Sequence, residues 1–324
     1  MQTAIRRVCR LIGVRGGLLP ARIVRMILSH SATRFWPAVF CMLAGIPPAH
    51  AQDAVSLQAR HEILRDQMAA NPYRRPIQIE SSQRTGNLDG DSYALVEQPF
   101  AVAGPALQGM DHWCDILILH LNIKRCRAST GEAGDILSLS IGGKHDQLST
   151  ESSVVNFRYQ ESKSGGDYLQ VMLDAGTGPL DTSDYRIVLE ATAVDVGSTF
   201  LHLSYTYAYG VMARLAMQSY LATIGRNKVG FTSTGMTSDG EPIHIRGMRG
   251  VVERNTMRYY LAIEAYLGAL SVPAPEQTDK RLNDWYTAIE RYPQLHELER
   301  DEYLRLKHAE LRSQHVPGPT AARN

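Results

Sequence analysis

The feature that most constrains this chain is a run of two-residue alternations between residues 136 and 209. Ile136, Leu137, Leu139 and Ile141 lie in ILSLSIGG. Val155, Phe157 and Tyr159 alternate with Asn156, Arg158 and Gln160, and Leu169, Val171 and Leu173 with Gln170, Met172 and Asp174. Ile187, Leu189 and Ala191 alternate with Arg186, Val188 and Glu190, and Leu201, Leu203, Tyr205 and Tyr207 with His202, Ser204 and Thr206. Side chains two apart on a strand share a face. Turn residues stand between the runs: Ser162–Asp167, Gly176–Asp184 and Val196-Gly197. The pattern predicts an antiparallel meander with one face turned to a core.

Helical periods flank it. Gln52–Ala70 is amphipathic, with Val55, Leu57, Ile63, Leu64 and Met68 on its apolar side, and Asn71-Pro72 stops it. Ile77–Gly86 and Ser92–Gln98 read as extended, with Asn87–Gly90 as a turn. Gly104-Pro105 opens a helix expected over 106–121. After Gly210 the period changes to three and four: one helix runs from Met212 to Ile224 and a second from Val251 to Leu270. Pro273 and Pro275 mark a break. Arg281–Tyr292 and Leu295–Ser313 then read as a charged helical hairpin hinged at Pro293, with a disordered tail after Pro317.

The front of the chain reads as an address. Residues 1–51 hold seven arginines and no acid, and FWPAVFCMLAGI (35–46) is a twelve-residue apolar run followed by Ala49-His50-Ala51. That run is too short for a spanning helix. A basic segment, a short apolar core and an A-x-A site describe a secretory signal peptide cut after Ala51, with translation starting at Met1 or Met26. The expected location is the periplasm. An uncleaved anchor is the alternative. The body keeps 27 basic against 33 acidic residues, a balance that disfavours nucleic acid. Export would leave Cys114 and Cys126 in an oxidising compartment. An unbroken helix between them would hold their Cα atoms ~18 Å apart, too far for a disulfide. Either the helix ends early and the chain folds back to form a bridge, or the thiols stay free. Neither a C-x-x-C nor an H-x-x-x-H spacing supports a metal at His112, Cys114 and Asp115.

The meander of 136–209 and the helix beginning near Met212 resemble the START-like, helix-grip (SRPBCC) superfamily. The segment 199–232, TFLHLSYTYAYGVMARLAMQSYLATIGRNKVGFT, looks like a secreted bacterial branch of it. The resemblance implies an α+β fold over 77–272, an antiparallel sheet wrapped around a long helix. Residues 52–76 form an N-terminal helix and linker, and 273–324 a charged helical appendage. Two long helices follow the meander where the family pattern has one, so which is gripped stays open. The resemblance also implies an apolar small molecule or lipid between sheet and helix, with no cofactor.

Tyr205, Tyr207 and Tyr209 share one strand face with Leu203, and Met212 and Met217 could add adaptable walls. The functional reading is a tyrosine-lined pocket; the plain one is core packing. Asp111 and Asp115 share a helix face beside His112, which could serve as a general base. Enzymatic use of that cluster is an alternative, and its side chains are then expected to face a cavity. His202 lies on the face opposite the tyrosines. Arg246, Arg249, Arg254 and Arg258 follow one another along a helix start and could meet a lipid phosphate, an acidic partner or only solvent with Glu253. The motifs G-x-S-x-G, H-E-x-x-H and the phosphate-binding glycine loops are missing. A third reading is an envelope interaction protein docking through its C-terminal hairpin. It expects that deleting 281–324 leaves a folded core.

Overall fold

A computed structural model describes residues 53–132, 134–143, 152–164, 166–223 and 225–314. The signal peptide, its cut at Ala51 and the tail after Pro317 lie outside the described residues. Eight strands form one antiparallel sheet: β1 (Ile77–Arg84), β2 (Asn87–Val96), β3 (Ile123–Gly131), β4 (Gly134–Ile141), β5 (Ser153–Ser164), β6 (Tyr168–Thr177), β7 (Thr182–Ala193) and β8 (Thr199–Tyr209). Their spatial order is β1-β2-β8-β7-β6-β5-β4-β3. The meander from β4 to β8 is as the alternation predicts, and β3 extends it by one strand. The long connection from β2 to β3 carries the chain to the far edge of the sheet, and the meander returns to set β8 beside β2, pairing Leu88 with Tyr207 and Ser92 with Leu203.

The helices are α1 (Ala54–Ala69), α2 (Phe100–Ala106), α3 (Met110–Leu117), α4 (Val211–Ala222), α5 (Gly247–Gly268), α6 (Ala274–Glu290) and α7 (Arg300–Gln314). A small hairpin, β9 (Ser233–Met236) and β10 (Pro242–His244), lies in the glycine-punctuated segment before α5. The gripped helix is α5. Fifteen of its 22 residues are buried, and it crosses β1, β2 and β8. Its neighbour α4 leaves Val211, Met212 and Leu215 exposed.

Asn87–Gly90 is strand rather than the expected turn. The turn falls two residues earlier, at Gly86, whose φ of +78° suits glycine. Gly90 serves another purpose. A methyl group there would stand 2.5 Å from Thr256 Oγ1 and 3.1 Å from Val252 Cγ2 on α5. The missing side chain lets helix and sheet approach closely.

The helix expected over 106–121 is instead two short ones. The chain breaks at Gly109, with φ +83°, and Trp113 Nε1 donates to Leu107 O across the break at 2.9 Å. Helix α3 ends at Leu117, and residues 118–122 turn the chain back into β3, a strand the sequence reading missed. Its only buried positions are Ile123, Lys124 and Cys126, too few for a visible alternation. This return brings Cys126 onto Cys114. The Cα atoms are 5.3 Å apart and the cysteines are bridged, which resolves the two alternatives in favour of the disulfide.

Helix α1 lies on the outer face of the sheet, where Leu57, Leu64 and Met68 pack with Tyr168 and Phe200. Asp53 caps it by accepting from the Ser56 N–H at 2.9 Å. Val55 and Ile63, expected on its apolar side, are exposed. The C-terminal helices are not a solvated pair. Leu282, Trp285, Tyr286, Tyr303 and Leu306 belong to the same buried cluster as Leu139, Val171 and Leu203. Helix α6 starts at Ala274, with Pro275 in its first turn where a missing N–H costs nothing. Lys307 Nζ donates to His120 O at 2.7 Å, Ile123 O at 2.8 Å and Glu310 at 2.7 Å. Lys124 Nζ reaches the other Glu310 oxygen at 3.0 Å. Removing 281–324 would therefore strip the core and uncover a charge cluster, contrary to the expectation of a folded remainder.

Gly90→Ala should lower stability by about 1–3 kcal/mol through overpacking against α5. Thr256→Ala in the same chain should recover part of the loss. Urea unfolding midpoints of the three proteins check both.

Candidate functional site

Leu203, Tyr205 and Tyr207 lie on the inner face of β8, opposite α5. Rings continue from them in both directions. Tyr207 stacks on Tyr185 at 5.5 Å, Tyr205 is 5.5 Å from Tyr207 and 5.6 Å from Tyr259 of α5, and Tyr259 stacks on His120 at 4.9 Å. A row of five rings thus runs between sheet and gripped helix. Tyr205 and Tyr207 are buried against their neighbours, with 8% and 7% of their surface exposed. The interior is close-packed at the rings.

The hydroxyls differ from the rings. Among the described residues, those of Tyr205, Tyr207 and Tyr259 make no hydrogen bond. They are also not among the enclosed polar atoms without a partner, so each oxygen borders accessible space. Burial first, and then neighbouring phenols, raises the pKa of Tyr205 well above the ordinary tyrosine value, and burial raises Tyr207 and Tyr259 as well. All three are neutral phenols able to donate or accept a hydrogen bond.

The other expected lining residues are elsewhere. Tyr209 is half-buried at the strand end and accepts from Gln83 Nε2 at 3.1 Å. Met212 lies on the exposed side of α4, while Met217 is buried but outside the main core cluster. Sequence spacing placed them on the helix next to β8, and the fold grips the following one. A groove of about 740 Å³ opens near Gly109, Tyr159 and Glu161, and none of Tyr205, Tyr207 and Tyr259 lines it.

The cluster around residue 112 does not face a cavity. Asp111 and His112 are exposed, and Asp115 accepts from Arg281 Nη1 at 2.7 Å. This is contrary to the expectation for a catalytic His112. No described group of three or more His, Cys, Asp and Glu side chains is arranged to hold a metal ion. Of the arginine series Arg246 is exposed, but Arg254 and Arg258 are not solvated. Arg254 is buried with Nη1 on Val229 O at 3.1 Å, and Arg258 donates to Leu295 O at 3.1 Å and Glu297 at 2.9 Å. Glu253, fully buried, accepts from the backbone N–H groups of Phe231 and Thr232 at 2.6 and 2.9 Å. It pins the loop before α5 to that helix.

Two histidines are buried in polar settings: His202, on the face that its alternation predicts, and His120, which no sequence signal marked. His120 belongs to the tyrosine row. His202 lies on the outer face beneath α1, Nδ1 2.8 Å from Glu190 and Nε2 2.9 Å from Asp91. Its ring stacks on Tyr93 at 4.3 Å, and Tyr168 donates to the other Glu190 oxygen at 2.6 Å. Burial pushes the His202 pKa down. Hydrogen bonds and charge from Asp91 and Glu190 outweigh it and raise the value to about 9. The imidazolium ties β2, β7 and β8 together. Both its nitrogens are occupied, which leaves none to act as a base.

The architecture is an α+β helix-grip fold: an antiparallel sheet packed on one long helix, with further helices at the C-terminal end. Among solved structures, a START superfamily protein from Mycobacterium smegmatis matches at TM-score 0.29 and 11% identity, over 43% of this chain and 95% of that one. Ara h 8.0201 matches at 0.33 and 12%, over 60% and 99%. The Zhui aromatase/cyclase from Streptomyces sp. R1128 matches at 0.29 and 13%, over 47% and 86%. No family model and no curated protein sequence matches the chain. At such TM-scores these likenesses carry nothing about ligand or reaction, and the description of the fold stands on strand order and the gripped helix.

Because the folded pKa of His202 exceeds the unfolded value near 6.5, its contribution is full below pH 6.5 and disappears as pH rises through 9. His202→Gln should cost up to roughly 3 kcal/mol at pH 6, and the gap to the parent should close by pH 10. Denaturant unfolding across that range checks it.

Proposed function

We propose that this protein is an exported binding protein that holds an apolar small molecule or lipid between the sheet and α5. The observation that carries the reading is the set of three neutral tyrosine hydroxyls, Tyr205, Tyr207 and Tyr259, that have no protein partner and keep accessible surface between the sheet and α5. Apolar sites with a few convergent polar groups are the usual form of small-molecule pockets. The close packing of the rings favours a flat or chain-like guest lying along the row. Export is supported by the apolar run before Ala49-His50-Ala51 and by the Cys114–Cys126 bridge, which suits an oxidising compartment. No described helix is long and apolar enough to cross a membrane.

Native mass spectrometry and solvent extraction of the chain from Gln52 onward should recover a bound apolar compound. The emptied protein should take up the neutral probe N-phenyl-1-naphthylamine. Leu203→Trp, which fills the inner face beside the tyrosines, should lose at least 90% of that uptake while keeping its circular dichroism. An empty protein that binds no probe, or a Leu203→Trp chain that binds it as well as the parent, would refute the reading.

A further inference from the structure

Helix α4 turns Ala213 and Met217 inward. Val211, Leu215, Gln218 and Ala222 follow at steps of four, three and four, so they share one helix face, and all four are exposed. Met212 flanks that row on one side and Arg214 on the other. Val211 is 71%, Leu215 54% and Met212 51% exposed. Apolar residues scattered singly over a surface need no explanation, but three gathered within two turns of one helix mark a contact surface.

The helix is fixed at its start. The Gly210 N–H donates to Asp181 O at 2.9 Å, and the Asp181 carboxylate lies against Gly210, where the positive end of the helix dipole favours it. Asp181 belongs to the β6–β7 loop, in which Leu180, Asp181 and Asp184 take φ of +61°, +61° and +50°. Left-handed backbone at non-glycine residues is costly and is kept mostly where a function depends on the shape it gives. Here it holds the helix that carries the bare apolar face.

Charge identifies the partner. From Val196 to Ser238 the chain has no Asp or Glu, while it carries Arg214, Arg226 and Lys228. Lys228 is engaged on His296 O. Arg214 and Arg226 are exposed, and among the described residues their guanidinium groups have no partner. A stable protein interface takes roughly 20–30 residues a side, more than this face offers. A lipid surface asks for less: a short apolar helix face with cations at its edge. At 12 residues, α4 is about 18 Å long, enough to lie along a bilayer but not to cross one.

We propose that α4 docks this protein on an anionic lipid bilayer, with Val211, Met212 and Leu215 entering the acyl boundary and Arg214 and Arg226 meeting lipid phosphates. Gly210 alone separates α4 from β8, so docking sets the end of the strand that bears Tyr205 and Tyr207 against the membrane. The proposal does not require a bound guest.

The chain from Gln52 onward, free of the apolar run before it, is sedimented with vesicles of phosphatidylcholine alone or with about 30% phosphatidylglycerol. Binding to the anionic vesicles should be about 10- to 30-fold tighter, the worth of two arginines at a charged surface, and most of that gain should vanish at about 0.5 M salt. Val211→Ser/Met212→Ser/Leu215→Ser should weaken docking at least ~10-fold. Arg214→Gln/Arg226→Gln should bring the two vesicle types to near-equal affinity. All five side chains are exposed, so both variants should keep the parent's circular dichroism. Cys114 and Cys126 are bridged, which allows an environment-sensitive dye to be placed on Leu215→Cys. Its emission should move to the blue on anionic vesicles, while the same dye on Asp66→Cys, exposed on α1, should not respond. A parent indifferent to anionic vesicles, equal dye responses at both positions, or variants that dock like the parent would each overturn the proposal. So would a Leu215 dye already blue in a chain that is dimeric without vesicles, since a second copy then covers the face. Uptake of N-phenyl-1-naphthylamine reads the guest site separately: a chain that takes up the dye and ignores vesicles loses the docking and keeps the binding function, and a chain that docks without taking it up does the reverse.

Discussion

The structure depends on how closely α5 approaches the sheet. At the crossing with β2 the chain has no side chain to offer, because Gly90 faces Thr256 and Val252 at distances that exclude a methyl group. Contact at that end holds the helix against the sheet, and Tyr259 on the same helix meets Tyr205 at 5.6 Å. Close packing of core atoms supplies most of the cohesion, and Glu253 extends it by taking two backbone N–H groups of the preceding loop. One strand position and one buried carboxylate thus place a 22-residue helix, and that helix supplies one wall of the candidate site.

The other end of the site is held by charge. The 118–122 turn buries Ile118, Leu119 and Leu121 in the core, and charge fixes its backbone carbonyls. Lys307 and Lys124 share Glu310, and Lys307 also takes two carbonyls of the turn. A buried cation with several good acceptors is tolerable, whereas one deprived of them is not. Burial holds Lys307 down at about 8, with Glu310 working against it. The C-terminal helices therefore shape the region around His120 even though they lie far from it in sequence. On the outer face, His202 with Asp91 and Glu190 fastens the three adjacent strands β2, β8 and β7 in a comparable way. Polar groups buried on both sides of one sheet give the fold fixed registers that apolar packing alone would specify less sharply.

Sequence legibility followed physical period. Strands β4 to β8 bury alternate residues, so their pattern is visible. Strand β3 buries only its first turns of chain beside a disulfide, and its Arg125 and Arg127 masked it. The run before it, DILILHLNIKR, satisfies a helical stripe locally, and only the positive φ at Gly109 and the early end at Leu117 reveal the break. The tyrosine row was half legible: Leu203, Tyr205 and Tyr207 follow from two-residue spacing. Tyr259 and His120 come from elements more than 50 residues after and 80 before them, and no local signal couples such positions. Met212 and Met217 lie on α4, the helix next to β8 in sequence, whereas the helix packed against the sheet is α5.

What the sequence determined by itself was the class of element and the facing of each strand. Both arise from short-range periodicity that any core must satisfy. It also placed the two cysteines in one excursion of chain, leaving the pairing to the turn between them. Tertiary structure alone decided which helix the sheet encloses, which charged residues of the last two helices are buried, and which histidine nitrogen lacks a partner. Those outcomes are contests between distant segments for the same volume and the same acceptors. A contest of that kind is settled when the chain closes on itself, since no stretch of residues carries the positions of its rivals.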